Sequence, residues 1–164
     1  MRRSLSFLST VLFALTVMPP ASATAPVREI SPGQDDVVIS GQCAFPVLGH
    51  VEGIEIITTF TDATGAPVKQ ITTFPGNMLS LTNLVSSTSV TVAATGTSQL
   101  RVGSDGSLSA LVTGHGPFFP HPLTGEPGIW YLSGRARATF DAQGNQLSGR
   151  VTGTLVDLCV RLAP

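Results

Sequence analysis

From Val51 to Leu155 apolar and polar residues alternate with a period of two, and turn-forming clusters interrupt them at short intervals. That rhythm puts one face of each segment in a core and predicts β-strands. Ile54, Ile56 and Phe60 share a face against Glu55 and Thr59. Asp62-Ala63-Thr64-Gly65 is a turn, residues 68–74 a second strand, and Pro75-Gly76-Asn77 a second turn. Leu79 and Leu81, Val90 and Val92, Leu100 and Val102, and Leu108, Ala110 and Val112 continue the pattern, with a hairpin signal at Ser104-Asp105-Gly106. Val37-Val38-Ile39 opens the first strand, and residues 43–47 are extended but broken by Pro46.

The longest alternation comes last. Trp130, Leu132, Gly134, Ala136, Ala138 and Phe140 form an inward set against Tyr131, Ser133, Arg135, Arg137 and Thr139. After a turn at residues 141–144, Leu147, Gly149, Val151, Gly153 and Leu155 alternate again, and a four-residue loop pairs Ala138 with Leu147 and Trp130 with Leu155. Beyond Leu155 the parity moves to Val156, Leu158, Val160 and Leu162, which predicts a bulge or corner near residues 155–156. No segment carries a 3.6-residue period over a useful length. The expectation is an all-β fold: an antiparallel meander of about nine or ten strands, closed as a flattened barrel to hide its edges. A two-sheet β-sandwich is the alternative.

The N-terminus has a different grammar. Arg2-Arg3, a mostly apolar run to Met18, and the small residues Ala21-Ser22-Ala23 follow the layout of a signal peptide, with cleavage after Ala23. The run is too short to span a bilayer comfortably, so no integral membrane segment is expected once it is removed. The chain divides into a signal peptide at 1–23, a flexible leader at 24–35 and a single β-domain at 36–164, and the expected location is secreted, extracellular. The two cysteines, Cys43 and Cys159, are then expected to form a disulfide joining the two ends of the domain. Closing so long a loop contributes up to about 5 kcal/mol by chain entropy.

Charge is sparse, 12% of residues, and the signal peptide holds two of the nine basic residues and no acidic one. What remains is net acidic, which excludes nucleic acid as an expected partner. Short segments also resemble a known group. Cys43-Ala44-Phe45-Pro46-Val47, Thr82-Asn83-Leu84, Asp105-Gly106-Ser107, Gly134-Arg135 and Asp157-Leu158-Cys159 occur in this order. In them the chain resembles a widespread group of uncharacterised small secreted β-domain proteins of actinobacteria. The resemblance implies an exported β-domain and brings no activity with it. In that group a turn glycine often follows the Asn-Leu segment; here Ser86-Ser87 stand instead.

Candidate chemistry is confined to two places. The longest connection, residues 114–128, is proline-stiffened and carries His115, Phe118, Phe119, His121 and Glu126, with Trp130 just beyond it. A long loop in a meander is a place for function. It reads as a hydrophobic lid over the barrel mouth, and the spacing of His115, His121 and Glu126 matches no established metal pattern, so neither a metal nor a cofactor is expected. The second place is an anion patch: Arg135 and Arg150 directly opposed across the last hairpin, with Arg137 beside them, offset by Asp157, Glu55 or an anionic ligand. No G-x-S-x-G, H-E-x-x-H or phosphate-cradling glycine loop is present. Three functions stay open: a noncatalytic secreted module binding an envelope component, protein or glycan; a carrier of a small apolar ligand inside the barrel, with room left by Gly134, Ala136, Ala138, Gly149 and Gly153; and an enzyme using the His115/His121 loop.

Overall fold

The computed structural model describes residues 25–33 and 36–164; the signal peptide expected at 1–23 lies outside them. Eleven strands and one short helix follow in order: β1 Val27–Pro32, β2 Val37–Ile39, β3 Val47–Glu52, β4 Ile54–Thr61, β5 Pro67–Phe74, β6 Met78–Asn83, β7 Ser89–Ala93, β8 Gly96–Val102, β9 Leu108–Phe118, β10 Trp130–Phe140, β11 Gln146–Asp157 and α1 Leu158–Leu162. They build two antiparallel sheets. The large one has the order β1-β4-β5-β8-β9-β10-β11, the small one β2-β3-β6-β7. Within the stretch read as a leader, Val27–Pro32 pair along β4, with every residue exposed.

No closed barrel forms among the described residues. β1 and β11 are the two edges of the large sheet, and neither meets the other. The reason is that the chain leaves the meander: it passes between sheets at Gly53, at residues 75–77 and at residues 94–95. Asn77 ties these three passages together. Its Oδ1 accepts the Ile54 N–H at 3.1 Å, its carbonyl accepts the Ala94 N–H at 2.8 Å, and a side chain at Gly53 would run into it. Asn77 is fully buried, so this polar knot sits in an apolar setting where each bond is costly to lose. The two sheets accord with the sandwich alternative.

The core lies between the small sheet and the C-terminal corner: Val47, Leu79, Leu81, Ile129, Leu158 and Leu162, each almost fully buried. Residues 158–162, expected to continue as a strand after a bulge or corner, are helical. Asp157 caps α1, its Oδ1 accepting the Cys159 N–H at 2.8 Å, and Leu158 and Leu162, four apart, point into the core while Val160 stays 73% exposed. The disulfide joins Cys43 to Cys159 across a Cα–Cα distance of 5.4 Å, so it anchors the segment before β3 to α1 rather than tying two strands. Around it three of the five short motifs converge, those at residues 43–47, 82–84 and 157–159. Asn83 donates through Nδ2 to the Leu162 carbonyl at 2.9 Å, and the Leu84 N–H donates to the Pro46 carbonyl at 3.0 Å. These residues therefore hold the corner. Ser87 takes the left-handed conformation, φ 62°, at the β6–β7 turn where a glycine would sit without strain.

The final hairpin has the expected parity and a register two residues away. Ala138 pairs with Gly149 and Leu132 with Leu155, because the register slips at Thr139/Phe140 beside the turn. Gly96, Gly114, Gly134 and Gly153 stand side by side on β8, β9, β10 and β11. At each, an added Cβ would strike the neighbouring strand: the Thr152 carbonyl oxygen for Gly134, the Ser133 carbonyl oxygen for Gly153. Gly114, Gly134 and Gly153 also have φ of 108°, 149° and 108°. The row is a line of close strand approach that only glycine permits, not space for a ligand.

Candidate functional site

Two cavities flank Phe119. The first, about 390 Å³, lies between the sheets. Val37, Ile39, Val51 and Leu79 wall it from the small sheet's side, Phe74 and Pro117 from the large sheet, with Phe119 at its end and Glu55, Asn77 and His115 as its polar groups. This is the usual make-up of a small-molecule pocket: mainly apolar walls and a few polar atoms. The Asn77 amide is oriented by the bond from Ile54 to its Oδ1, yet its Nδ2, buried, has no partner. A buried donor without an acceptor is uncommon in a finished fold.

The second cavity, about 300 Å³, lies beneath the connection between β9 and β10. Strand β9 runs to Phe118, so the connection proper is residues 119–129, shorter than the predicted 114–128. It folds over the flat of the last strands, with Ala110, Val112, Ala136, Ala138 and Phe140 as the floor and Phe118, Phe119, Pro122 and Leu123 as the roof. The lid expected over a barrel mouth is thus a flap on a sheet face. Gly149 adds no room, since a Cβ there would press on Gln146 and Leu123.

The structure separates the two loop histidines. His115, on β9, stacks against Tyr131 at 6.3 Å and borders the inter-sheet cavity. His121 folds the flap: its Nδ1 accepts the N–H groups of Leu123 and Thr124 at 3.2 and 3.1 Å, and its ring meets Trp130 edge-on at 4.6 Å. No group of three His, Cys, Asp or Glu side chains placed to hold a metal occurs among the described residues. Trp130 and Tyr131 are both half-buried, so Trp130 keeps its inward place and Tyr131 does not take the outward one expected of it. Tyr131 packs against the main core, and burial pushes its phenol up from the ordinary value, whereas Trp130 lies on the flap side with its buried Nε1 unpaired. Both faces of β10 are covered at this end, which alternation alone does not reveal.

The three arginines of the expected patch share one face but are differently paired. Arg137, not Arg135, lies opposite Arg150, and Arg135 lies opposite Thr152. The two carboxylates considered as partners are engaged elsewhere: Asp157 caps α1 and Glu55 borders the inter-sheet cavity. Sequence reasoning missed Asn77, which it assigned to a turn. Pro75-Gly76-Asn77 carries ordinary turn chemistry, and only the burial of Asn77 in the structure sets it apart from a hairpin. No protein-family model, no curated protein and no solved structure matches the chain.

Proposed function

We propose that the protein is a secreted, noncatalytic binding module that holds a small, mainly apolar molecule in the cavity between its sheets. The observation that carries this reading is the inter-sheet cavity itself, apolar on both walls and bordered by Asn77, whose buried Nδ2 lacks an acceptor. A ligand carbonyl would supply one, and the match would favour neutral molecules over carboxylates because Glu55 shares the wall. The barrel interior proposed from sequence gives way to this space. Secretion is supported by the disulfide, which suits an oxidising compartment. Among the described residues no helix is long and apolar enough to cross a membrane. The enzyme reading loses support from the separate engagements of His115 and His121.

Titration with a medium-chain methyl ketone, followed by amide NMR, tests the reading. Shifts are expected at Leu79, Ala94 and His115, and Ala94→Phe, which fills the cavity, should weaken binding at least about tenfold while leaving the melting temperature unchanged or higher. Shifts confined to Phe118, Leu123 and Ala136 would move the site beneath the flap. No shift with any neutral apolar probe, and no retained molecule by native mass spectrometry of protein from its own host, would end the proposal.

A further inference from the structure

Beyond the glycine row, one face of the large sheet carries cations without counter-charges. The register places them together. Arg101 on β8 lies opposite Ser109, which lies opposite Thr139; two residues along β10 from Thr139 is Arg137, opposite Arg150, and two further is Arg135. Side chains two apart share a face. Lys69 extends the row, opposite Arg101, with its ammonium 4.9 Å from the Phe60 ring centre. All four arginines are exposed. The ion pairs among the described residues lie elsewhere, at His50 with Asp36 and Glu52. The nearest turn carboxylates, Asp105 and Asp141, accept bonds within their own turns.

Like charges placed opposite each other across strands are unfavourable, so this arrangement costs stability in the free protein. The cost falls on a chain that is otherwise net acidic once its expected signal is removed. Two hollows of about 350 and 220 Å³ lie on this face and share Arg135 and Arg137 as a common wall. Together they run from Gln99 and Arg101 on β8 to Arg150 and Thr152 on β11. Arg101 and Arg137 stand two strands apart, about 10 Å, comparable to the length of a disaccharide unit.

We infer that this face is a docking surface for an acidic polysaccharide, whose carboxylate or sulfate groups pair with Arg101, Arg135, Arg137 and Arg150. Guanidinium forks suit such planar or tetrahedral oxyanions. The hydroxyl and amide groups interleaved with them, Gln99, Ser109 and Thr152, suit sugar hydroxyls. The hollows contain no aromatic side chain on which a nucleic-acid base could stack, and Leu111 is the one large apolar residue in them, which gives a bilayer little to receive. The inference is independent of the inter-sheet cavity.

The test is binding of hyaluronan and heparin octasaccharides to the intact domain by titration calorimetry. At least one should bind, more weakly as salt rises, and Arg137→Ala with Arg150→Ala should reduce affinity at least about tenfold without lowering the melting temperature. Arg28→Ala with Arg161→Ala, on β1 and α1, should change it less than about twofold. Equal binding of neutral dextran, loss of affinity in the control pair alone, or binding only to phosphatidylglycerol vesicles or a single-stranded oligonucleotide would overturn the inference. So would the absence of binding to either glycan.

Discussion

The two ends of the β10–β11 hairpin share a pleat and a parity but not an environment. At the base, Tyr131 and Val156 pack against the core and Leu132 on the opposite side is fully buried. At the tip, Ala136 and Ala138 face the flap while Arg135, Arg137 and Arg150 face solvent. The boundary is the glycine row at Gly134 and Gly153. The small sheet's strands are three to six residues long, against eleven and twelve for β10 and β11, so they can cover only part of the hairpin. Coverage, not alternation, decides which positions are apolar. Where the second sheet ends, the same pleat carries arginine.

The sharpest way to break that comparison is to truncate equivalent residues in each half. Leu132→Ala removes a fully buried side chain and should cost about 3–4 kcal/mol. Leu147→Ala, at the tip and 67% exposed, should cost less than about 0.5 kcal/mol. Urea denaturation measures both, and similar costs would mean that the tip is covered in solution.

A smaller effect tests the boundary. Gly153→Ala places a methyl against the Ser133 carbonyl oxygen and 2.9 Å from the Gly134 Cα, at a φ of 108°. The expected cost is about 2–3 kcal/mol. Gly144→Ala, in the tip turn with open space around it, should cost about 1 kcal/mol, from its φ of 85° alone. A Gly153 variant as mild as the Gly144 one would mean that the strands do not approach closely at the row.

Much of this architecture was legible because burial and alternation agree over most strands. Leu79 and Leu81, and Ala136 against Arg135 and Arg137, read correctly from period two. The failures have local causes. Val156, Leu158, Val160 and Leu162 satisfy a two-residue period by coincidence. The four-residue spacing of Leu158 and Leu162 after a capping Asp157 was the better guide. The hairpin register slipped by two because a turn with a bulge beside it cannot be told from a tight loop by apolar matching, which tolerates even shifts. Sheet exchange left almost no mark: passages at Gly53 and at residues 75–77 look like hairpin turns, and only the buried Asn77 distinguishes them. For the candidate site, the arginines were visible as one face, but the cavity arises from residues brought together across two sheets, which no local pattern encodes.

The smallest effect contrasts the acidic residues at the two ends. Asp157, at the base, caps a helix; Asp141, at the tip, closes a turn in solvent. The Asp141 carboxylate accepts from the Asn145 side chain at 2.8 Å and from the Asn145 and Gln143 N–H groups at 2.8 and 2.9 Å. These bonds, with the Asn145 side chain first, hold its pKa below the ordinary 3.8. A lowered folded-state value means that the stabilisation is complete above the unfolded value and is lost as pH falls through the folded one. NMR titration of the Asp141 carboxyl carbon should therefore give a midpoint below 3.8, and Asn145→Ala should move it back toward that value. As pH falls through the midpoint, the tip turn should lose its protection while the Leu132 amide stays protected, since the base depends on burial rather than on this carboxylate. An unshifted midpoint would show that the turn does not hold the Asp141 carboxylate in solution, and base and tip opening together would show that the two ends are one cooperative unit.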